Sequence, residues 1–326
     1  MEMDKTTKIK KSMRIVHLGQ DSAQSLPPSV ATVGFFDGVH RGHQYLIGQV
    51  VDEAHRFGLT STVITFDRHP RQVLHKDYQP RLLSTLDEKL QLLSLTGIDN
   101  VVVLHFTPAM AALTARQFMQ DVLSRQLRVQ RLVIGYDNRF GHDRSEGFDD
   151  YVNYGAEIGI TVTRSQPLLL HSVKISSSVV RSFLQEGEVD MARQCLGYPY
   201  TLIGRVVDGV KEGRELGYPT ANIEVTDAEK LIPAQGVYGV LASAEGLMAN
   251  MPAMTNIGTR PTFDGQRVTI ETHILHFHRN LYGKILRLAF CHRIRSERKF
   301  ASAVQLARQL DEDRKQTEQL FKQYGK

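Results

Sequence analysis

Tryptophan is absent from this 326-residue chain, and cysteine occurs only twice, at Cys195 and Cys291. Two thiols cannot build a disulfide framework or a four-ligand zinc site, so the chain reads as a protein of the reducing cytoplasm. No stretch approaches the roughly 20 apolar residues that a helix needs to cross a bilayer, which excludes an integral membrane protein of that kind. Met1 to Arg14 carry Lys5, Lys8, Lys10, Lys11 and Arg14 with no apolar run behind them, so this start reads as a solvated leader and not as a secretory signal. Charge of one sign is also lacking. Lys plus Arg number 40 against 35 Asp plus Glu, a net +5. There is no run of five or six basic residues and no interleaving of basic with aromatic residues, so nucleic acid is not an expected partner. Taken alone, the mild basic excess suits anionic ligands, nucleic acid or phosphorylated small molecules alike, and spread this evenly it reads first as an ordinary soluble surface. Internal repeats and low-complexity tracts are missing as well. What is present is 41% hydrophobic residues, enough for packed cores, over a length that corresponds to about two domains.

The first half alternates short apolar runs with helical periodicity. Val30 to Phe36 reads as a strand. Leu46, Ile47, Val50, Val51, Ala54 and Phe57 recur at helical spacing up to Gly58 as C-cap, and Ser61 to Phe66 reads as the next strand. Strand, helix and strand within so few residues form a βαβ unit, which requires parallel pairing. Val101–Phe106, Arg131–Gly135 and Ile160–Thr163 continue the rhythm, and Thr114 with Gln117 forms a capping box for a helix running toward Leu127. The expectation is a doubly wound α/β parallel sheet whose ligands sit beyond the carboxyl ends of its strands. After about Tyr200 the period changes to two, in Thr201–Val207, Gly236–Ala242, Val268–Phe277 and Lys284–Ile294. That pattern predicts a small antiparallel β-barrel, closed by an amphipathic C-terminal helix, Ser302–Phe321, bearing Leu306, Leu310 and Leu320. The expected domains are 14–186 and 201–326, with 187–200 as a polar linker.

Two segments carry chemistry in the first half. Gly34-Phe35-Phe36-Asp37-Gly38-Val39-His40-Arg41-Gly42-His43-Gln44 lies between the first strand and its helix, where α/β sheets bind phosphates. Its glycines permit close backbone approach. His40 and His43, three apart, are expected on one face of the first helical turn, where two imidazoles can hold a triphosphate and stabilise a leaving pyrophosphate. Gly34, Phe35, Asp37 and Gly42 are the accompanying candidates for ATP contact. The alternatives are ordinary polar residues at a helix start, or half of a zinc site that lacks a third ligand nearby. Ile175-Ser176-Ser177-Ser178-Val179-Val180-Arg181 offers hydroxyls at a helix start and then an arginine, so Ser177, Ser178 and Arg181 make a second anion cradle, or else simply a serine-capped surface helix. Asp137 and Asn138, just past a buried strand, are placed to touch a substrate ring or hydroxyl, with an Asx turn as the alternative.

In the second half, Gly204 to Asn222 is rich in glycine and carries Lys211 and Arg214. Gly204, Lys211, Gly213 and Arg214 are candidates for a loop folded over phosphates, against the alternative of a polar hairpin. Thr220 and Asn222 point to one side of an extended segment, so their oxygens suit one hard cation such as Mg2+. In Val268-Thr269-Ile270-Glu271-Thr272-His273-Ile274, Glu271 shares a face with Thr269 and His273, opposite Ile270 and Ile274. Most glutamates so placed are merely solvated, but one facing a phosphate loop can take a proton from a hydroxyl nucleophile.

GFFDGVHRGH, FDRHPRQVL, GYDNRFG and ISSSVVR, in that order, resemble the adenylyltransferase half of the bifunctional riboflavin kinase/FAD synthetases. GRELGYPTANIEV, GVYGVLA, NIGTRPTF, VTIETHILHF and LYGK resemble the riboflavin kinase module of the same family. The resemblance spans Arg14 to about Tyr324. It implies a nucleotidyltransferase-like first domain and a six-stranded second one, in which riboflavin and ATP give FMN, and FMN and ATP give FAD and pyrophosphate, with Mg2+. By the same resemblance His40, His43, Ser177, Ser178 and Arg181 serve AMP transfer, Asp137 sits near the reacting groups, Thr220 and Asn222 hold Mg2+, and Glu271 is the base. Three positions depart from the family pattern: Ser178 stands where threonine is common, Asn138 where phenylalanine is common, and Glu212 where a basic residue or glycine is common. A chain whose first domain adenylylates a different acceptor, and a non-catalytic flavin- or nucleic-acid-binding regulator, are the competing readings. Oligomeric state is left open by the sequence.

Overall fold

The computed structural model describes residues 12–19, 26–74, 81–136, 138–142, 145–170, 173–209, 217–262 and 265–322. The chain divides into two compact units, Met1–Ile175 and Ser176–Lys326.

The first unit runs β1 (Arg14–His17), β2 (Ser29–Val33), a 3-10 turn (Asp37–Val39), α1 (Arg41–Phe57), β3 (Thr60–Phe66), α2 (Pro70–Leu74), α3 (Leu86–Ser94), β4 (Asn100–Leu104), α4 (Pro108–Ala111), α5 (Ala115–Gln117), a π-helix (Phe118–Gln126), β5 (Val129–Ile134), α6 (Phe148–Ile158) and β6 (Thr161–Arg164). A short antiparallel hairpin, β7 (Leu169–Leu170) and β8 (Val173–Lys174), follows. The six strands pair in the order β1-β4-β3-β2-β5-β6, all parallel, which is the doubly wound sheet that the alternating pattern predicts. Both faces are covered, so β2 and β4 are buried along their whole length. Leu46, Ile47, Val50 and Ala54 of α1 pack with Val30, Val63 and Val101 on one face, while Phe118, Met119, Val122 and Leu123 pack with Ala31, Ile64 and Val102 on the other. Thr114 and Gln117 do form a reciprocal capping box, and Gly58 ends α1 at φ 64°. Arg14, which the sequence reading placed both at the end of the leader and at the start of the first domain, begins β1, paired in parallel with β4.

The second unit comprises α7 (Ser177–Glu186), α8 (Val189–Leu196), β9 (Tyr200–Val207), β10 (Ala221–Val225), β11 (Gly236–Ala244), β12 (Met248–Thr262), β13 (Gly265–Ile274), β14 (Ile285–Arg295) and α9 (Ala303–Phe321). The strands close into an antiparallel barrel in the order β10-β13-β12-β11-β14-β9. Residues 187–200, read as a polar linker, contain α8, which packs on β14 and β9. Two patterns differ from the sequence reading. The alternation of Leu286, Leu288 and Phe290 stops short of Ile294, because β14 bulges between its partners Gly239 and Val240. Consecutive Cys291 and His292 then both lie against Phe321 of α9. On α9 the fully buried positions are Gln309, Asp313, Thr317 and Phe321, whereas Leu306, Leu310 and Leu320 are only half-buried. The polar stripe goes inward because Asp313 takes a bidentate bond from Arg295 (2.8 and 3.0 Å) and a bond from Gln309 (2.7 Å).

A Cβ added at Gly155 of α6 would lie 2.3 Å from the Ile160 carbonyl oxygen, whereas one at Gly48 of α1 meets nothing within 4 Å. Gly155→Ala is expected to destabilise the first unit by about 1–3 kcal/mol, and Gly48→Ala to stabilise it by about 0.5–1 kcal/mol. Chemical denaturation of both variants measures this, and shifts of the same sign contradict the packing described here.

Candidate active sites

In the first unit the chain runs from β2 toward β3 and β4 on one side and returns to β5 and β6 on the other, so the strand order reverses between β2 and β5. Ligands of such sheets bind beyond the carboxyl ends of the strands at that reversal. Gly34 to His43 leave β2 at this point, and Gly135 to Asn138 leave β5. The Asn138 side-chain amide donates to the Val33 carbonyl, which ties the two exits together.

The turn between β2 and α1 is strained. Phe36 has φ 56°, Gly38 φ 74° and Val39 φ 35°, and a β-branched residue at positive φ persists only where its surroundings impose it. The brace is visible. Asp37, 3% exposed, accepts hydrogen bonds at 3.0 Å from the backbone N–H groups of Leu83 and Ser84, and Gly38 N donates to Ser84 Oγ at 2.9 Å. Asp37 was expected at the phosphates. An acceptor-only carboxylate buried under these two amides and the Ser84 hydroxyl (3.3 Å) is instead a brace for the turn. Phe35 packs against the core of the unit, with the His69 ring edge-on at 4.7 Å and the Lys89 ammonium 4.0 Å from the Phe35 ring centroid. A Cβ on Gly34 would stand 3.1 Å from the Phe36 ring.

His40 and His43 come together, though not side by side on one helical face as their spacing suggests. His40, 4% exposed, is the N-cap of α1, and its Nδ1 accepts from His43 N at 3.3 Å. The two rings stack with centroids 3.6 Å apart and planes at 18°. Gly42 is explained by this stack, since a Cβ there would lie 3.1 Å from the His40 ring and 3.3 Å from the Ile175 carbonyl. Burial, with His40 and Lys89 adding repulsion, holds the His43 imidazole well below its ordinary pKa, so the ring is neutral at pH 7. His43 Nδ1 is buried without a hydrogen-bond partner. A capped helix N-terminus with two stacked imidazoles and an unsatisfied polar atom is an arrangement that an anion completes. Among the described residues no three His, Cys, Asp or Glu side chains gather as a metal cluster, so a zinc site at these histidines has no third ligand.

Ser177, Ser178 and Arg181 lie in the first two turns of α7, which belongs to the second unit. The N-cap is Ser176, whose hydroxyl accepts from Val179 N at 3.3 Å, leaving Ser178 exposed and Arg181 half-buried. Asp137 lies outside the described residues.

In the barrel, Asn222 of β10 stands directly opposite Glu271 of β13, and Glu271 directly opposite Asn256 of β12. Directly opposed residues share a face, so the three form a row across three strands. Ile270, Thr272 and Ile274 are buried on the other face, as the alternation predicts. Glu271 is half-buried and accepts from Arg260 Nη2 at 2.9 Å. The Asn222 amide is seated over Gly209, where a Cβ would lie 2.0 Å from Nδ2 and 2.7 Å from Oδ1. Thr220 is half-buried two residues before Asn222. Beside this row a cavity of about 380 Å³ is lined by Tyr218, Pro219, His273, Ile274, His276 and Arg314, among others. Burial lowers the His273 pKa, and His273 Nδ1 lies 2.9 Å from the Pro219 carbonyl. Gly204 is not part of a phosphate loop. It lies inside β9, and a Cβ there would stand 2.5 Å from Ile223 and 2.6 Å from the Glu224 carbonyl, so it serves close strand pairing. Lys211, Gly213 and Arg214 lie outside the described residues.

The sequence reading missed Lys89, Arg260 and Asn256. Lys89 had a signal: it is a cation on the apolar stripe that Leu86, Leu90 and Leu93 draw along α3. Arg260 and Asn256 also had one, since both lie in the NIGTRPTF motif, but β12 was not read as a strand and neither residue was singled out.

A family model described as FAD synthetase matches residues 22–179, and one described as riboflavin kinase matches residues 196–321. A protein of Escherichia coli (strain K12) named bifunctional riboflavin kinase/FMN adenylyltransferase is 37% identical over 292 residues, covering 90% of this chain and 92% of the relative. The protein of the same name from Bacillus subtilis (strain 168) is 34% identical, covering 95% and 98%. A crystal structure described as a macrolide-efflux protein from Streptococcus pneumoniae superposes with a TM-score of 0.84 at 30% identity, covering 94% of this chain and 99% of that one. Efflux is said of that protein; among the described residues here, no helix is long and apolar enough to cross a membrane.

Asp37→Ala strips the acceptor from two buried backbone N–H groups, a loss of about 1–3 kcal/mol. Urea unfolding of the variant measures it, and an unchanged midpoint removes Asp37 as the brace of the turn.

Proposed function

The chain belongs to the bifunctional riboflavin kinase/FMN adenylyltransferase family, and we propose that it phosphorylates riboflavin to FMN in the barrel and adenylylates FMN to FAD in the α/β unit, using ATP in both. The observation that carries this reading is that both family models match, one after the other, across most of the chain.

For adenylyl transfer, the phosphate of FMN attacks the α-phosphorus of ATP, and the bond to pyrophosphate breaks. The α1 N-terminus and the stacked His40 and His43 supply donors for the oxygens on which charge builds. Asp37, Phe35, Gly34 and Gly42 act by fixing the turn. For kinase chemistry, the 5′-hydroxyl of riboflavin attacks the γ-phosphorus, and Glu271 takes the hydroxyl proton. The Arg260 bond engages Oε1 of the carboxylate. Thr220 and Asn222 fit Mg2+: they are neutral hard-oxygen donors, and the Asn222 amide occupies a niche that any Cβ at position 209 would fill. When bound, the ion neutralises phosphate charge. The two buried free cysteines support a cytoplasmic location.

His43→Ala is expected to lower FAD formation by about 10²-fold or more while leaving riboflavin phosphorylation intact. Glu271→Gln is expected to lose FMN formation by about 10²–10⁴-fold and still make FAD from supplied FMN. Chromatographic separation of the flavins after incubation with ATP and Mg2+ decides both. Loss of both products in either variant contradicts the division of labour, and a wild-type chain that makes neither is a binding protein.

A further inference from the structure

Lys89 is the one fully buried lysine among the described residues of the α/β unit, 2% exposed, and no step of the chemistry above uses it. Its ammonium donates to the Phe66 carbonyl at 2.9 Å and to the Phe35 carbonyl at 3.1 Å, and sits 4.0 Å from the Phe35 ring centroid. Phe66 is the last residue of β3, and Phe35 lies two residues past β2 in the strained turn. Three donors thus meet two carbonyls and one π face, and the helix α3 is clamped to the carboxyl ends of two neighbouring strands at the point where the histidine segment departs. A buried lysine satisfied by neutral carbonyls is costly to fold, since an apolar residue would fill the same stripe of α3 without desolvating a charge.

We propose that Lys89 is a positioning residue for adenylyl transfer, its ammonium fixing the Phe35 carbonyl and so the turn that presents His40 and His43 to the triphosphate. The role rests on the reading of the α/β unit as an adenylyltransferase. Burial pushes the Lys89 ammonium down to about 8, with Asp37 and Asp67 acting in the opposite direction. The groups facing it are Asp37 in the turn, Asp67 after β3 (itself held by His105 at 2.5 Å), and His43 of α1. The lysine is therefore charged at pH 7 and loses its proton as pH rises through about 8, which weakens the clamp in the alkaline direction.

The test measures both reactions of the full-length chain separately, for wild type and Lys89→Gln, from pH 6.5 to 9.5. Glutamine keeps two N–H donors but no charge. In the wild type the KM for ATP in FAD formation is expected to rise at least 5-fold between pH 7 and pH 9, with no matching change in riboflavin phosphorylation. In Lys89→Gln that KM is expected to be raised at least 10-fold already at pH 7 and to be flat with pH, while phosphorylation is unchanged. A flat wild-type profile overturns the proposal whether or not the variant folds, and so does a variant with wild-type constants. If the wild type makes FMN but no FAD at any pH, the adenylyltransferase reading itself fails, and the proposal with it.

Discussion

A carboxylate and an ammonium, both withdrawn from water, hold the backbone where β2 gives way to α1. Asp37 ties the turn to the amides of Leu83 and Ser84, and Lys89 ties it to the end of β3. Together with the Thr65 hydroxyl on the Phe35 carbonyl and the Gln44 amide on the Val39 carbonyl, these braces maintain the positive φ values at Phe36 and Val39, which cost on the order of 1–3 kcal/mol each. The stacked histidines depend on that turn, because His40 caps the helix with the same ring on which His43 rests. The geometry of this turn is thus set by the packing of α3 against the sheet as much as by the histidines it carries.

The barrel solves its problem differently. Here position comes from strand register: the Asn222–Glu271–Asn256 row exists because β10, β13 and β12 pair with those residues opposed. A slip of one residue would turn Glu271 into the core and Ile270 out to solvent. Closure removes free edges, so the register is fixed around the whole ring. The C-terminal helix adds to this through Asp313 and Arg295, a buried bidentate pair whose rupture would strand a charge.

The likeness to a structure described as an efflux protein shows how little a fold says about activity. That structure covers 94% of this chain at 30% identity, so an activity has to be sought in particular side chains, here a helix cap shared by two imidazoles and a glutamate opposed to an asparagine.

Much of this was legible in the chain itself. Period two against period 3.6 separates barrel from doubly wound sheet, because burial on one face or both leaves a pattern in the order of residues. The capping box at Thr114 and the faces of β13 follow from local geometry for the same reason. What tertiary structure decided involves partners distant in sequence. Asp37 is a brace because Leu83 and Ser84 come to it, and Gly204 serves strand pairing because β10 lies against it. The polar stripe of α9 faces inward because Arg295 awaits it, and β14 loses its alternation at a bulge that only pairing with β11 creates. Periodicity records which way a side chain points, but not what it meets there, and it is the meeting that sets the role of a buried charge.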